Sequence, residues 1–177
     1  YCHIHMAIKS KLKSKTKKIK RISKTTTFMV SGGFDLIHIG HIRYIQEAKA
    51  LGDRLVVVLN NDNWLRLKKG KEFMPEKERK EILEALSDVD EVIISCHDKA
   101  SKDRSVCAEI MKIKPNIFAN GGDRFADNIP EFKLCNELGI KMVFNVGKGG
   151  KIRSSSELLK EYTKKIQKKR DCSTFFF

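Results

Sequence analysis

The sequence has few cysteines, only three prolines and no long apolar run. Its five cysteines are an odd number, stand far apart and include no C-x-x-C pair, which argues against a disulfide scaffold or a zinc knuckle. No apolar stretch approaches the roughly 20 residues that a membrane-spanning helix needs. The first residues also lack an apolar segment of the secretory type. We therefore expect a cytoplasmic protein with reduced thiols and no membrane span.

Acidic residues are absent from the first 26 positions, which contain nine Lys or Arg. These nine residues give the first 26 positions a charge of +9, and residues 160–177 have a net charge of +4. Because the whole chain has a net charge of +14, the body between the two tails is almost neutral. A basic run of low complexity is typical of a disordered segment. We predict a basic, disordered tail at 1–26, a globular domain at 27–159, and a basic helix end and tail at 160–177. The tails leave one alternative function open, which is contact with nucleic acid or another anionic surface.

The body alternates between apolar strand signals and helix signals. Five short apolar runs predict strands, at 28–31, 54–59, 91–95, 116–119 and 141–145. Helical spacing and helix-start residues predict helices that begin at His38, Pro75, Ser105, Pro130 and near Ser154. The first of these helices is predicted to end at Gly52. The alternation predicts an α/β fold in a single domain, Rossmann-like and doubly wound, with a five-stranded parallel sheet and ligands at the carboxyl ends of the strands.

A glycine turn and two histidines follow the first predicted strand. Gly32 and Gly33 turn the chain, and His38 and His41 stand three residues apart on one face of the next helix. Gly40 has no side chain, so a ligand can approach the backbone there. Two imidazoles beside the N–H groups of a helix start form a donor-rich site for a phosphate. Zinc is the weaker alternative, because no third ligand is suggested nearby.

A serine triplet opens the last predicted helix. Ser154, Ser155 and Ser156 supply hydroxyls, and Ser154 with Glu157 forms the S-x-x-E pattern of a capping box. Taken alone, this pattern indicates a helix cap. Taken together with the two histidines, it predicts the other half of a polyphosphate site, which requires the two helix starts to meet in space.

A third cluster, at 120–124, ends the fourth predicted strand. Its glycines, Gly122 among them, admit a flat ligand, and Asp123 and Arg124 can pair with polar groups at the edge of that ligand. Taken alone, the cluster is an ordinary turn.

The run SGGFDLIHIGHIRYIQEAKALGDRLVVVLNND resembles the cytidylyltransferase-like nucleotidyltransferases. The letters H-I-G-H at 38–41 match the signature of that superfamily, and the serine triplet matches its Ser/Thr triplet. Heptose-phosphate adenylyltransferases and glycerol-3-phosphate cytidylyltransferases are the groups it resembles most, over about residues 27–159. The resemblance implies an enzyme that transfers a nucleoside monophosphate from CTP or ATP to a small phosphorylated sugar or polyol and releases pyrophosphate.

The resemblance also implies catalytic roles for three residues. His38 and His41 would donate hydrogen bonds to phosphate oxygens as negative charge builds on them. Lys69, in a loop after the second strand, would reach the phosphates of both substrates. Lys68 is the alternative if the register differs by one residue.

Further positions are implied to contact the nucleotide or its metal. Arg79, on the helix that follows the lysine, would face phosphate. Asp35 would be linked to the metal, or would instead cap the turn. The complete set implied to bind nucleotide is Gly32, Gly33, Phe34, Asp35, Gly40, Arg79, Gly122, Asp123, Arg124, Ser154, Ser155 and Ser156. Mg²⁺ is implied as cofactor, held by phosphates and water with few protein ligands, and a homodimer is implied as the assembly.

Two positions depart from the family pattern. Gly149 stands where the cytidylyltransferases have an arginine about five residues before the triplet, with Lys148, Lys151 and Arg153 as candidate substitutes. Arg124 stands where an aromatic residue is usual, near the base. The choice between CTP and ATP is therefore left open.

Overall fold

The computed structural model describes residues 25–121, 129–147 and 154–173. Strands and helices alternate along this part of the chain. The strands are β1 Thr27–Gly32, β2 Arg54–Leu59, β3 Glu91–Ile94, β4 Ile117–Gly121 and β5 Lys141–Val146. The helices are α1 Ile39–Lys49, α2 Asp62–Lys69, α3 Glu76–Glu84, α4 Cys107–Ile113, α5 Glu131–Glu137 and α6 Ser155–Ser173.

All five strands lie parallel in one sheet, in the order β3-β2-β1-β4-β5. The predicted doubly wound α/β fold is thus confirmed. After β3 the chain crosses back and enters the sheet again as β4, on the other side of β1. The strand order therefore reverses between β1 and β4. At such a switch point the loops after the two strands part and leave a crevice for a ligand.

Each face of the sheet has its own apolar core, because successive side chains of a strand point to opposite faces. Phe28 and Val30 of β1 belong to the cluster that includes Ile45 of α1. Met29, between them, belongs to the cluster on the other face, with Ile110 of α4. This two-sided burial explains why the central strands are continuous apolar runs in the sequence.

The family resemblance implies a loop at Lys69, and the structure instead has the eight-residue helix α2, which ends there. The side chain of Asn61 caps this helix by accepting the N–H of Trp64 at 2.9 Å. Gly70 ends the helix with a φ of 84°. Trp64 and Leu65 are buried, with 4% and 0% exposure. The loop prediction was wrong because a short helix, held by its caps and two buried side chains, lacks a long periodic pattern.

The predicted helix end at Gly52 was also wrong. Helix α1 ends at Lys49, and Ala50 is its C-cap in the right-handed helical conformation. Gly52 lies beyond the helix, where an added Cβ would stand 1.7 Å from Cε2 of Phe28. Close packing against the core, rather than helix termination, therefore requires glycine at this position.

The other predicted elements agree with the structure to within one or two residues at each end. Among the described residues, no helix combines the length and the apolar composition of a bilayer span. The tail at 1–24, the residues after 173 and the cluster at 122–124 lie outside the described residues. What the sequence suggests for those segments stays a prediction.

Candidate active site

The two histidines of the H-I-G-H motif cap helix α1. Nδ1 of His38 accepts the N–H of Gly40 at 3.1 Å, and Nδ1 of His41 accepts the N–H of His38 at 3.3 Å. This is a capping box made of imidazoles. A ring nitrogen that accepts a hydrogen bond carries no proton, so both rings carry their hydrogen on Nε2. The N–H of Gly40, which the sequence suggested for a ligand, is engaged within the motif.

The two imidazole rings are stacked and His41 is held neutral. Their centroids lie 3.8 Å apart, and the ring of Phe34 meets His41 edge-on at 5.1 Å. Burial, and then the repulsion that a protonated His38 or the charged Lys69 would exert, lowers the pKa of His41 from 6.5 to about 3. At pH 7, His41 is therefore a neutral hydrogen-bond donor rather than a cation.

Phe34 packs against His41 and shapes the glycine turn. Its side chain is 2% exposed, and its φ of 47° is a left-handed conformation that is strained for a bulky residue. The ring lies 3.0 Å from the place of a Cβ on Gly32, and Leu65 lies 2.9 Å from that of Gly33. In this structure the two glycines thus make room for Phe34, which packs against His41, and for Leu65.

Asp35 holds the loop between α2 and α3 against the glycine turn. Its carboxylate is buried and accepts the N–H groups of Phe73 and Met74, both at 2.9 Å. Its backbone carbonyl accepts Nζ of Lys69 at 2.7 Å. Partial burial lowers the pKa of Lys69, and the charge of Asp35 opposes that shift. These bonds favour the turn-capping interpretation of Asp35 over the metal-linked one.

Two neighbouring lysines end α2, and they point to different places. Nζ of Lys69 reaches the glycine turn through its bond to Asp35. Nζ of Lys68 instead lies 4.6 Å from the centroid of the Trp64 ring. Lys69 therefore contacts the segment that follows the glycine turn, whereas Lys68 lies over the Trp64 ring.

The serine triplet meets the glycine turn across 119 positions of sequence. Oγ of Ser155 donates to the carbonyl oxygen of Leu36 at 3.0 Å, and Ser155 is buried. The predicted capping box is present as well: the N–H of Ser154 donates to Glu157 at 2.9 Å, and the N–H of Glu157 donates to Oγ of Ser154 at 3.2 Å. Ser156 is exposed beside them on the first turn of α6. The predicted meeting of the two helix starts is confirmed.

Arg79 is buried beneath the glycine turn rather than exposed at the surface of the site. Its side chain is 0% exposed, and its guanidinium donates to the carbonyl of Gly33 and to the carboxylate of Asp62, both at 2.6 Å. Sequence reasoning missed Asp62. The available signal was its place directly after Asn60 and Asn61, where the second strand ends.

Several predicted positions cannot be placed in this site. Gly122, Asp123 and Arg124 lie outside the described residues, as do the basic residues that flank the serine triplet, Lys148, Lys151 and Arg153. Among the residues that are described, no group of three or more His, Cys, Asp or Glu side chains is arranged to hold a metal ion.

The low pKa of His41 predicts a stability that depends on pH. The unfolded chain protonates His41 below about pH 6.5, whereas the folded chain does so only near pH 3, so the free energy of unfolding falls as the pH is lowered between these values. The slope from this group reaches about 1.4 kcal/mol per pH unit. Urea unfolding at several pH values should show a steeper loss for the wild type than for His41→Asn, which does not titrate. Parallel curves for the two proteins would contradict the assignment.

Comparisons with known proteins identify a family model and several similar proteins. Residues 29–174 match the model of the cytidylyltransferase-like family. The chain is 40% identical over 99 residues to FAD synthase of Ferroglobus placidus, which covers 56% of this chain and 60% of that protein. It is 36% identical over 122 residues to the Bifunctional protein HldE of Syntrophotalea carbinolica, which covers 68% of this chain and 24% of that protein. The chain thus spans less than two thirds of either relative.

A solved structure shares the fold. The crystal structure of the lipopolysaccharide core biosynthesis protein from Thermoplasma volcanium superposes with a TM-score of 0.57. The two chains are 27% identical, and the match covers 70% of this chain and 98% of the other. The likeness therefore extends over almost the whole of that protein.

Proposed function

The chain belongs to the cytidylyltransferase-like family, and we propose that it is a nucleotidyltransferase. In this reaction a nucleoside monophosphate passes from a nucleoside triphosphate to a small phosphorylated acceptor, and pyrophosphate is released. The observation that carries the proposal is the hydrogen bond from Ser155 to Leu36, which joins the serine triplet to the turn before the histidines. Two distant anion-binding motifs therefore border one site.

The chemistry needs no general base. The attacking group is a phosphate oxygen of the acceptor, which is already ionised at pH 7. It forms a bond to the α-phosphorus while the bond from that phosphorus to the bridging oxygen breaks, and pyrophosphate leaves with the electron pair. Negative charge builds on the oxygens of the α-phosphate and on the leaving group. Catalysis therefore depends on in-line positioning and on donors aimed at those oxygens.

The described residues supply such donors in fixed positions. The Nε2–H groups of His38 and His41 donate to phosphate oxygens, and the backbone bonds to both Nδ1 atoms hold the rings before substrate arrives. Lys69 adds a positive charge beside the glycine turn, where its Nζ donates to the carbonyl oxygen of Asp35. The exposed Ser156, at the start of α6, offers its hydroxyl to the β- and γ-phosphates.

The donor set fits Mg²⁺ as a companion of the triphosphate. Mg²⁺ keeps several waters and binds substrate phosphates with only one or two carboxylates. The motif carboxylate, Asp35, is 3% exposed and already bonded to two backbone N–H groups. Because Asp35 is engaged in this way, substrate phosphates and water would hold Mg²⁺, which would supply partial neutralisation of the leaving pyrophosphate.

We propose ATP as the nucleotide, because the product named by the FAD synthases contains adenine and the HldE relatives carry a heptose-phosphate adenylyltransferase domain. Both chemistries join the adenylyl group to a phosphate monoester. In one acceptor that phosphate sits on a sugar, and in the flavin it sits on a ribityl chain, which is a polyol. A phosphorylated sugar or polyol chain is therefore the proposed acceptor. The homodimer stays a prediction.

A substrate panel tests this function. Purified protein with Mg²⁺ is incubated with ATP, CTP, GTP or UTP and with FMN, sugar phosphates or glycerol 3-phosphate, and pyrophosphate release and product mass are measured. We expect pyrophosphate to be released from ATP, and only when an acceptor of one class is present. The same panel with His41→Ala protein controls for contaminating enzymes. The proposal is wrong if the wild type neither binds nor turns over any nucleoside triphosphate.

A further inference from the structure

One buried arginine connects four segments that surround the site. Arg79, in α3, is 0% exposed and donates four hydrogen bonds. Its Nη1 reaches the carbonyls of Gly33 (2.6 Å) and Asn60 (2.8 Å), and its Nε reaches the carbonyl of Met74 (2.8 Å). Its Nη2 pairs with Oδ1 of Asp62 at 2.6 Å. The glycine turn, the end of β2, the start of α2 and the loop before α3 are thereby held together.

These bonds leave Arg79 poorly suited to bind a phosphate. A guanidinium has five N–H donors, and the bonds to the protein already occupy all three of its nitrogens. A buried charge is tolerated only when it is paired and hydrogen-bonded. Moving Arg79 toward a substrate would break these bonds and leave the charge of Asp62 without its partner. The geometry therefore assigns Arg79 to the framework of the site.

The same framework determines where Lys69 stands. Helix α2 is eight residues long, with Asp62 as its first residue and Lys69 as its last. At its first turn, the carboxylate of Asp62 accepts a hydrogen bond from Arg79, and the N–H of Asp62 donates one to the carboxylate of Glu76 at 2.8 Å. At its last turn, Nζ of Lys69 donates a hydrogen bond to the carbonyl oxygen of Asp35 at 2.7 Å. Because α2 is short and rigid, a shift at its first residue moves the lysine at its last.

We propose that Asp62 and Arg79 are positioning residues that set Lys69 against the reacting phosphates, and that Arg79 does not contact phosphate. This inference rests on the proposed nucleotidyl transfer. A misplaced charge loses contacts that form in the transition state, whereas ground-state binding of the nucleotide has many other contacts. Weakening the pair therefore lowers kcat and leaves the dissociation constant of ATP nearly unchanged.

The test places Asp62→Asn in two backgrounds, the wild type and Lys69→Met. Single-turnover rates with radiolabelled ATP are measured so that weak activity is still detected. In the wild type we expect Asp62→Asn to lower the rate about 10-fold to 100-fold, as for a displacement of about 1 Å. In Lys69→Met we expect less than about a twofold further loss, because the residue through which the pair acts is absent. The same loss in both backgrounds would overturn the proposal.

A binding measurement separates positioning from phosphate contact. Calorimetric titration of ATP into Arg79→Lys should give a dissociation constant within about twofold of the wild type, while kcat falls. A parallel loss of affinity and kcat would make Arg79 a phosphate ligand and refute the proposal. If the single-turnover rates in Lys69→Met are too low to measure, the dissociation constant of ATP for Arg79→Lys still tests whether Arg79 contacts phosphate.

Two controls keep the outcomes distinct. Glu84→Gln, in the exposed ion pair with Lys80 on the same helix, should leave both rate and affinity unchanged. If Arg79→Lys fails to fold, the titration is repeated with Asp62→Asn, whose side chain is 19% exposed in the wild type. A wild type that is inactive with every nucleotide contradicts the proposed function. An active wild type whose Asp62→Asn variant is unimpaired contradicts only the positioning role.

Discussion

Replacing His41 with alanine is expected to lower kcat by about 10²–10³-fold, the usual cost of one preorganised donor to a developing oxyanion. Its ring is neutral at pH 7, because burial and neighbouring charges lower its pKa to about 3. We therefore expect it to act through the hydrogen on Nε2, in a bond that strengthens as charge builds on the phosphate. The affinity for ATP should fall less than about tenfold, since the ground state gains less from the same donor.

Two further variants separate the catalytic bond from the structural one. His41→Asn keeps an acceptor near the position of Nδ1 for the N–H of His38 (3.3 Å) but has no donor near Nε2. His41→Gln can place an amide N–H near Nε2. We expect His41→Asn to be stable and as slow as His41→Ala, and His41→Gln to recover part of the rate. Equal losses of rate and ATP affinity in all three proteins would show that His41 serves ground-state binding alone.

The second large effect is expected for Gly52→Ala, which should lower the free energy of unfolding by about 1–3 kcal/mol or more. An added Cβ would stand 1.7 Å from Cε2, 2.5 Å from Cζ and 2.7 Å from Cδ2 of Phe28. Phe28 is 1% exposed in the middle of the core on the α1 side. Because the ring is packed among other buried side chains, we expect the turn after α1 to shift. Urea unfolding followed by circular dichroism measures the loss.

Two comparisons show whether the collision is the cause. Gly139→Ala introduces the same methyl group where nothing lies within 4 Å, at a φ of 67°, so only backbone strain of about 1–2 kcal/mol applies. Phe28→Leu reduces the ring, and in the double variant it should recover part of the cost of Gly52→Ala. The explanation fails if Gly52→Ala is no worse than Gly139→Ala and the double variant shows no recovery.

The strands could be predicted from the sequence because of where they lie in the sheet. A parallel strand covered on both faces must be apolar at consecutive positions, and β2 is predicted and observed with the same bounds, Arg54–Leu59. Helix α2 could not be predicted in this way. Only Trp64 and Leu65 are buried on it, and its ends are set by Asn61 and Gly70. Eight residues are too few for a periodic signal.

The candidate site shows the same division. The sequence predicts that two helix starts meet, because alternating strands and helices form a parallel sheet, in which the carboxyl ends of all strands lie at the same edge. Ser155 and Leu36 confirm that meeting. The sequence does not reveal that Arg79 is buried or that the carboxylate of Asp35 is bonded to backbone N–H groups. The place of Arg79 in the sequence, four residues after Pro75, does not indicate whether its side chain faces solvent or the interior.

Local patterns by themselves determined the order of strands and helices, the parallel sheet and the positions of the histidine and serine motifs, because each depends on neighbours in the chain. Only the tertiary structure decided which histidine nitrogen carries the hydrogen, which lysine reaches the turn, and that Gly52 makes room for Phe28. Each of those outcomes depends on a particular pair of atoms coming within hydrogen-bonding or van der Waals distance. Such contacts exist only once the sheet has brought the segments together.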